Sequence, residues 1–180
     1  MPNDVEIMLS ENKKNPKWKD YKGNYFIFSK EDSNFYVLNN KHQIIDSVIA
    51  GRGKDKGDYP NTAKAELSKE QQVGKRTTPA GRYAIKSTVA TKKDIKDYDT
   101  PFYEFEGNEK EGYLGFHGIY KDELEVRTKI LNNKYIKDKL VSWGCINIPK
   151  EFLAKQNISV GDSLFITKEP NLILANKNGK

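Results

Sequence analysis

Apolar positions along the chain fall in short aromatic and β-branched runs, not in a sustained helical stripe. Tyr25-Phe26-Ile27-Phe28 and Phe35-Tyr36-Val37-Leu38 read as strands separated by the turn-forming Glu31-Asp32-Ser33-Asn34, with Asn39-Asn40 as the next turn. Residues 51–76 are polar and glycine-studded and read as a surface excursion, with a short helix at Ala63 to Gln72. A strand at Arg82 to Thr88 follows, then a charged stretch to about Asp99 that reads as loop or short helix. Phe102-Tyr103-Glu104-Phe105 and Tyr113-Leu114-Gly115-Phe116 alternate as half-buried strands do. Pro149 suits the first turn of a helix over Lys150 to Lys155, and Val160-Gly161-Asp162 turns the chain into a last strand. The pattern is mainly β and shows no internal repeat.

The first 22 residues are polar and read as an arm or linker, 23–170 as one folded domain, and 171–180 as a tail. With 180 residues, 36% of them hydrophobic, and a mean hydropathy of −0.81, the chain is polar for a globular protein. Its 10 tyrosines and 8 phenylalanines supply the bulk for one core. No apolar run has the length of a membrane span, and the first residues lack the basic and apolar regions of a signal peptide. The net charge of +6 favours anionic polymers, but lysines are interspersed with acidic residues, as in Lys92-Lys93-Asp94-Ile95-Lys96-Asp97. That is an ordinary solvated face, so nucleic acid is not an expected partner.

Chemistry concentrates in two places. Ser142-Trp143-Gly144-Cys145-Ile146-Asn147 puts the only cysteine in a glycine-flanked turn, and Phe116-His117-Gly118 supplies an imidazole upstream. A thiol attacks as thiolate, so it needs a base or a positive field, and backbone amides must hold the oxyanion that attack creates. The amides of Trp143, Gly144 and Cys145 are candidates for the last role, and the arrangement predicts a thiol that ionises well below the usual value of about 8.5. Taken alone, Cys145 would be inert core and His117 a structural histidine; the Ser-x-Gly-Cys-x-Asn setting points instead to nucleophile and base. Trp143 faces either a groove or the core. Arg82 either reaches a substrate carboxylate or touches nothing specific, and Tyr113 lies on the strand leading to His117 as a further substrate contact. His42, in a hairpin turn, reads as solvated. Two histidines and one cysteine without ligand spacing make no metal site, and no glycine-rich phosphate loop occurs, so no cofactor is expected.

Several segments, in order, resemble the YkuD family of L,D-transpeptidases, bacterial enzymes that re-link peptidoglycan stem peptides. They are the hairpin from Asn34 to Gly51, Thr78-Pro79-Ala80-Gly81, His117-Gly118, Ser142-x-Gly144-Cys145-Ile146-Asn147, and the closing Val160 to Ile166, together covering roughly 24–167. Trp143 stands where the family commonly has a second histidine. Twenty-five positions separate His117 from Ser142, longer than usual, which marks Lys121 to Leu140 as an insertion, a surface element beside the cleft. The resemblance implies a β-sandwich of two packed mixed sheets with a short helix after the cysteine loop.

It also implies acyl transfer on peptidoglycan stems, in the periplasm or cell wall, with Cys145 as nucleophile and His117 as base. Gly118 and Ser142 would orient the imidazole, Asn147 would brace the cysteine loop, and Gly118 and Asn147 would lie at the substrate side. The acceptor distinguishes an L,D-transpeptidase from an L,D-carboxypeptidase. The same chemistry would serve a secreted effector acting on a competitor's wall, with an immunity or secretion partner, and a catalytically silent wall-binding module is the reading from another class.

Overall fold

The computed structural model describes residues 1–170 other than Lys19, Ala65, Glu109 and Glu111; the expected tail, 171–180, lies outside the described residues. In chain order the elements are α1 (Asn3–Lys14), β1 (Tyr25–Ser29), β2 (Asn34–Leu38), β3 (Ile44–Ile49), β4 (Arg52–Gly53), β5 (Gly81–Ala84), β6 (Ser87–Val89), α2 (Lys92–Tyr98), β7 (Phe102–Asn108), β8 (Gly112–His117), α3 (Leu124–Asn132), β9 (Leu140–Ser142), β10 (Ile146–Asn147), α4 (Lys150–Lys155) and β11 (Ser163–Ile166). Short 3₁₀ turns lie at Pro16–Trp18 and Lys121–Glu123.

Two mixed sheets carry the fold. One has the order β3-β2-β1-β11-β5, with β1 and β11 parallel and the other pairs antiparallel. The other has the order β10-β8-β7-β6, with β10 and β8 parallel. Their facing sides share one core: Phe26, Phe28, Phe35 and Val37 from the first meet Phe105, Leu114, Phe116 and Ile146 from the second. This is the expected two-sheet sandwich, with the α4 helix after the cysteine loop as anticipated.

β1 is buried at every position, which explains its unbroken apolar run. Phe26 and Phe28 face the inter-sheet core, while Tyr25 and Ile27 face a second cluster completed by Val5 and Leu9 of α1. Residues 1–22, expected as a polar arm or linker, thus contribute a helix that covers the outer face of the first sheet. Val5, Leu9 and Asn12 are its buried positions, one helical face, with acidic Asp4 and Glu6 in the first turn and Lys13 and Lys14 in the last.

Two further segments differ from expectation, and a third takes one of its two expected forms. The strand foreseen over Arg82 to Thr88 is two strands in different sheets, because the chain crosses between sheets at Ile85, whose amide and carbonyl bond the Gly161–Asp162 turn. The charged stretch becomes α2, closed at its start by a reciprocal Thr91–Asp94 capping box and at its end by Asp99 in the left-handed region. The described residues of 63–72 form successive turns instead of a helix: amides of Lys64 and Leu67 bond carbonyls three residues back, and Ser68 exchanges bonds with the Gln71 side chain and amide.

A buried charge network ties β1 and β4 to the segment after β11. Lys30 Nζ bonds the Gly57 carbonyl at 2.9 Å and pairs with Asp58, while Arg52 pairs with Glu169 and Asp138.

Candidate active site

β8 and β10 run parallel, with Asn147 opposite His117 and Ile146 opposite Phe116. Two residues earlier, Cys145 lies beside Gly115, whose amide points at the sulfur. Cys145 is the residue just before β10 and His117 the last of β8, so the two lie on adjacent chain segments, two rows apart. Tyr98 links them: its ring stacks on His117 at 3.9 Å, and its phenol, pushed up to about 12 by burial, also feels the Cys145 charge.

His117 is 3% exposed. Phe102 stacks on it from the neighbouring strand at 5.3 Å, crossing Gly115, where a Cβ would lie 2.5 Å from the Phe102 ring. Nδ1 bonds the Gly118 carbonyl at 2.6 Å; as donor to that oxygen it leaves the lone pair on Nε2. Burial holds the imidazole down at about 4, so it is neutral at physiological pH.

The cysteine turn is braced from several sides. Ser142 Oγ donates to the Cys145 carbonyl and accepts the Gly144 amide at 3.1 Å. Thr78 Oγ1 donates to the Gly144 carbonyl at 2.7 Å and accepts the Gly53 amide at 3.0 Å. Gly144 has φ +138°, which favours glycine, and a Cβ there would lie 2.9 Å from Leu114 Cδ2 and 3.0 Å from the Thr77 carbonyl.

These contacts revise several sequence-based roles. Ser142 bonds the cysteine turn and not the imidazole, which the Gly118 carbonyl orients instead. The Gly144 amide is spent on Ser142 Oγ, so in this conformation it is not offered to an oxyanion. Gly118 engages both backbone groups internally, its amide bonding Thr100 Oγ1 at 2.7 Å, and cannot present them to substrate. Asn147 is fully buried; its Oδ1 accepts from Arg127 Nη1 at 2.6 Å and its amide and carbonyl bond Gly51, so it supports the loop without contacting substrate.

Arg82 is elsewhere. It pairs with Glu11 and lies over the Phe165 ring at 5.1 Å, on the α1 side of the first sheet, the face opposite the core against which Cys145 packs. Two clefts of about 230 and 360 Å³ open on that side, lined by Arg82 and by α1 residues or their neighbours, and neither is lined by His117 or Cys145. His42 is not simply solvated: Nδ1 bonds the Tyr25 hydroxyl at 3.0 Å beside Trp18.

Tyr113 does lie at the site: its carbonyl is 4.0 Å from Cys145 Sγ and its side chain is exposed. Trp143 is 49% exposed, which rules out the core-packing alternative; the Arg76 guanidinium sits over its ring at 5.2 Å, fixed by two bonds to Asp55 of 2.8 and 3.1 Å.

The thiol departs from the expected low value. Burial pushes Cys145 up to about 11, against the opposing pull of the Gly115 amide and of the Lys64 and Arg127 charges. Thiol and imidazole therefore rest as a neutral pair. Lys64, Arg127, Tyr98 and Thr78 act on this site from segments that carried no catalytic signal, apart from the Thr-Pro-x-Gly stretch that contains Thr78. Among the described residues no three His, Cys, Asp or Glu side chains gather as a metal set, and no helix is long and apolar enough to cross a membrane.

No family model matches the sequence, and no curated protein matches it. Among solved structures the chain is similar to an L,D-transpeptidase from Xylanimonas cellulosilytica, at 13% identity and TM-score 0.50, over 82% of this chain and 62% of that one. It is also matched to an L,D-transpeptidase from Mycobacterium smegmatis (15% identity, TM-score 0.47, 81% and 58%) and to L,D-transpeptidase 1 from Mycobacterium tuberculosis (17%, 0.43, 80% and 61%). The chain thus spans less than two thirds of the length of these structures. At such identities the likeness is one of fold, and the first of the three carries it: the two-sheet architecture is shared with an L,D-transpeptidase domain.

Proposed function

We propose that the chain is a cysteine-dependent acyl transferase acting on peptidoglycan stem peptides, an L,D-transpeptidase with a stem amine as acceptor. The observation that supports this reading is the pairing of β8 with β10, whose register sets Cys145, beside a braced glycine turn, two rows from His117. The shared fold supports the substrate class. Such a substrate would put the protein in the periplasm or cell wall.

In this mechanism Cys145 Sγ attacks the carbonyl joining the third stem residue to the terminal D-alanine. Because the thiol rests near 11 and the imidazole near 4, a preformed ion pair is unfavourable, and the S–H proton passes toward Nε2 as the S–C bond forms. The same imidazole returns the proton to the departing amine, D-alanine leaves, and a thioester remains on Cys145. An amine from a neighbouring stem then attacks that thioester and restores the thiol, forming a cross-link. Exposed Tyr113 and Trp143 flank the cysteine as surfaces for the stem.

Incubation with purified muropeptides, followed by mass spectrometry of the stems and of the intact protein, tests this. Cross-linked dimers, or tripeptide stems if water is the acceptor, should form with the native chain and vanish with Cys145→Ala, and a β-lactam of the carbapenem class should add to Cys145. Unchanged muropeptides with folded native protein would overturn the assignment.

A further inference from the structure

Lys64 is buried against the cysteine turn, and among the described residues no carboxylate is in contact with it. Its side chain is 6% exposed, and Nζ donates at 2.6 Å to the Thr77 carbonyl, a neutral acceptor. A Cβ placed on Gly144 would lie 3.8 Å from this Nζ, so the ammonium rests beside the residue that precedes Cys145. Taking an ammonium out of water costs several kcal/mol, and an ammonium has three N–H groups to satisfy. Two other buried lysines meet that demand more fully: Lys30 bonds a carbonyl and pairs with Asp58, and Lys139 bonds the carbonyls of Ile130 and Asn133.

We propose that Lys64 is a positioning residue for Cys145: a fixed positive charge, aimed by the Thr77 carbonyl, that stabilises the thiolate. This rests on the reading of Cys145 as nucleophile. Lys64 keeps its three protons throughout; the S–H proton goes to the imidazole or to solvent, and the charge favours the sulfur anion that remains. The other charges in range are Lys30 and Asp55 acting on Lys64, Arg127 acting on Cys145 and His117, and Asp94 acting on His117, while the Tyr98 phenol feels the sulfur. Burial holds the Lys64 ammonium down at about 8, with the Cys145 charge pulling the other way, which agrees with the geometry and leaves the group mostly charged at neutral pH.

The test is the rate of Cys145 alkylation by iodoacetamide on the whole chain, from about pH 6 to 11, a readout of thiolate population. Lys64→Met should move the profile to higher pH and slow labelling at neutral pH about tenfold for each pH unit the profile moves, and Lys64→Arg should restore most of the loss. Coincident profiles for native and Lys64→Met protein, both folded by near-ultraviolet circular dichroism, would overturn the proposal. If Lys64→Met does not fold, native protein supplies the measurement: its labelling rate should rise clearly less than tenfold per pH unit through about pH 8, where Lys64 loses its charge, and an uninterrupted tenfold rise per unit through that range would equally overturn the proposal. Alkylation involves no muropeptide, so a shifted profile alongside inert muropeptides would sink the acyl-transfer reading and leave Lys64 in its role.

Discussion

Two buried lysines mark two regions run on opposite rules. Around Lys30, cations meet carboxylates: Lys30 with Asp58, Arg52 with Glu169 and Asp138. In the site that Lys64 adjoins, the groups are a carbonyl, a thiol and a neutral imidazole. Desolvation lowers both lysines, but among the described residues only the first has a carboxylate in contact to offset it. A paired charge is satisfied in the resting fold and serves to hold it; an unpaired one is satisfied only when an anion forms next to it. The first region is a latch and the second has its electrostatics in reserve.

Unpairing the latch should have the largest effect. Glu169→Ala leaves the Arg52 guanidinium, 1% exposed, with Asp138 alone and should cost about 3 kcal/mol in urea unfolding, because a buried charge loses its partner. A loss well under 1 kcal/mol would make the latch decorative and erase the contrast.

The charge-poor site predicts an acid weakness of similar size. His117 stays neutral down to about pH 4 when folded but takes up a proton near 6.5 when unfolded, so the unfolded state binds more protons in that window and stability falls as pH drops through it. The loss attributable to His117 approaches about 3 kcal/mol at the low end, by the difference between native and His117→Gln melts. Parallel curves for the two proteins would contradict a buried neutral imidazole.

A smaller effect belongs to the joint between the regions. Thr78→Val strands the Gly53 amide and the Gly144 carbonyl and should cost about 2 kcal/mol, while changing the alkylation rate of Cys145, since the turn loses its brace. Stability loss with an unaltered thiol would separate the turn from the thiol's behaviour. The smallest change in stability is expected for Trp143→Ala, under about 1 kcal/mol at so exposed a position, with muropeptide turnover falling well beyond that. A large melting drop with unchanged activity would return the indole to a structural role.

The strands were legible because their burial is written locally: the aromatic runs of β1 and β2, the alternation in β7 and β8, and Pro149 ahead of α4 each signal their element without help from distant residues. The α1 helix was hidden because one narrow stripe, Val5 to Asn12, is diluted by charged neighbours. The break between β5 and β6 was hidden because alternation registers exposure and is blind to which sheet a strand joins. At the site, the Ser-x-Gly-Cys and His-Gly motifs located the turn and the imidazole. They could not reveal that burial would neutralise both, nor that the charges of Arg127 and Lys64 would act there, since an isolated lysine in a polar stretch looks the same whether it points to water or to a buried carbonyl. Arg82 failed for the reverse reason: Glu11, which captures it, lies 71 positions away.

The strand order has a consequence for how the protein comes into being. β11, the last strand of the sandwich among the described residues, sits in the interior of its sheet between β1 and β5, both from the first half of the chain. During synthesis β1 has β2 on one side and an open edge on the other until residues 163–166 have emerged, and an open edge invites pairing with foreign strands. The sandwich therefore closes only late, and a product interrupted before Ser163 should collect as aggregate instead of as a smaller domain.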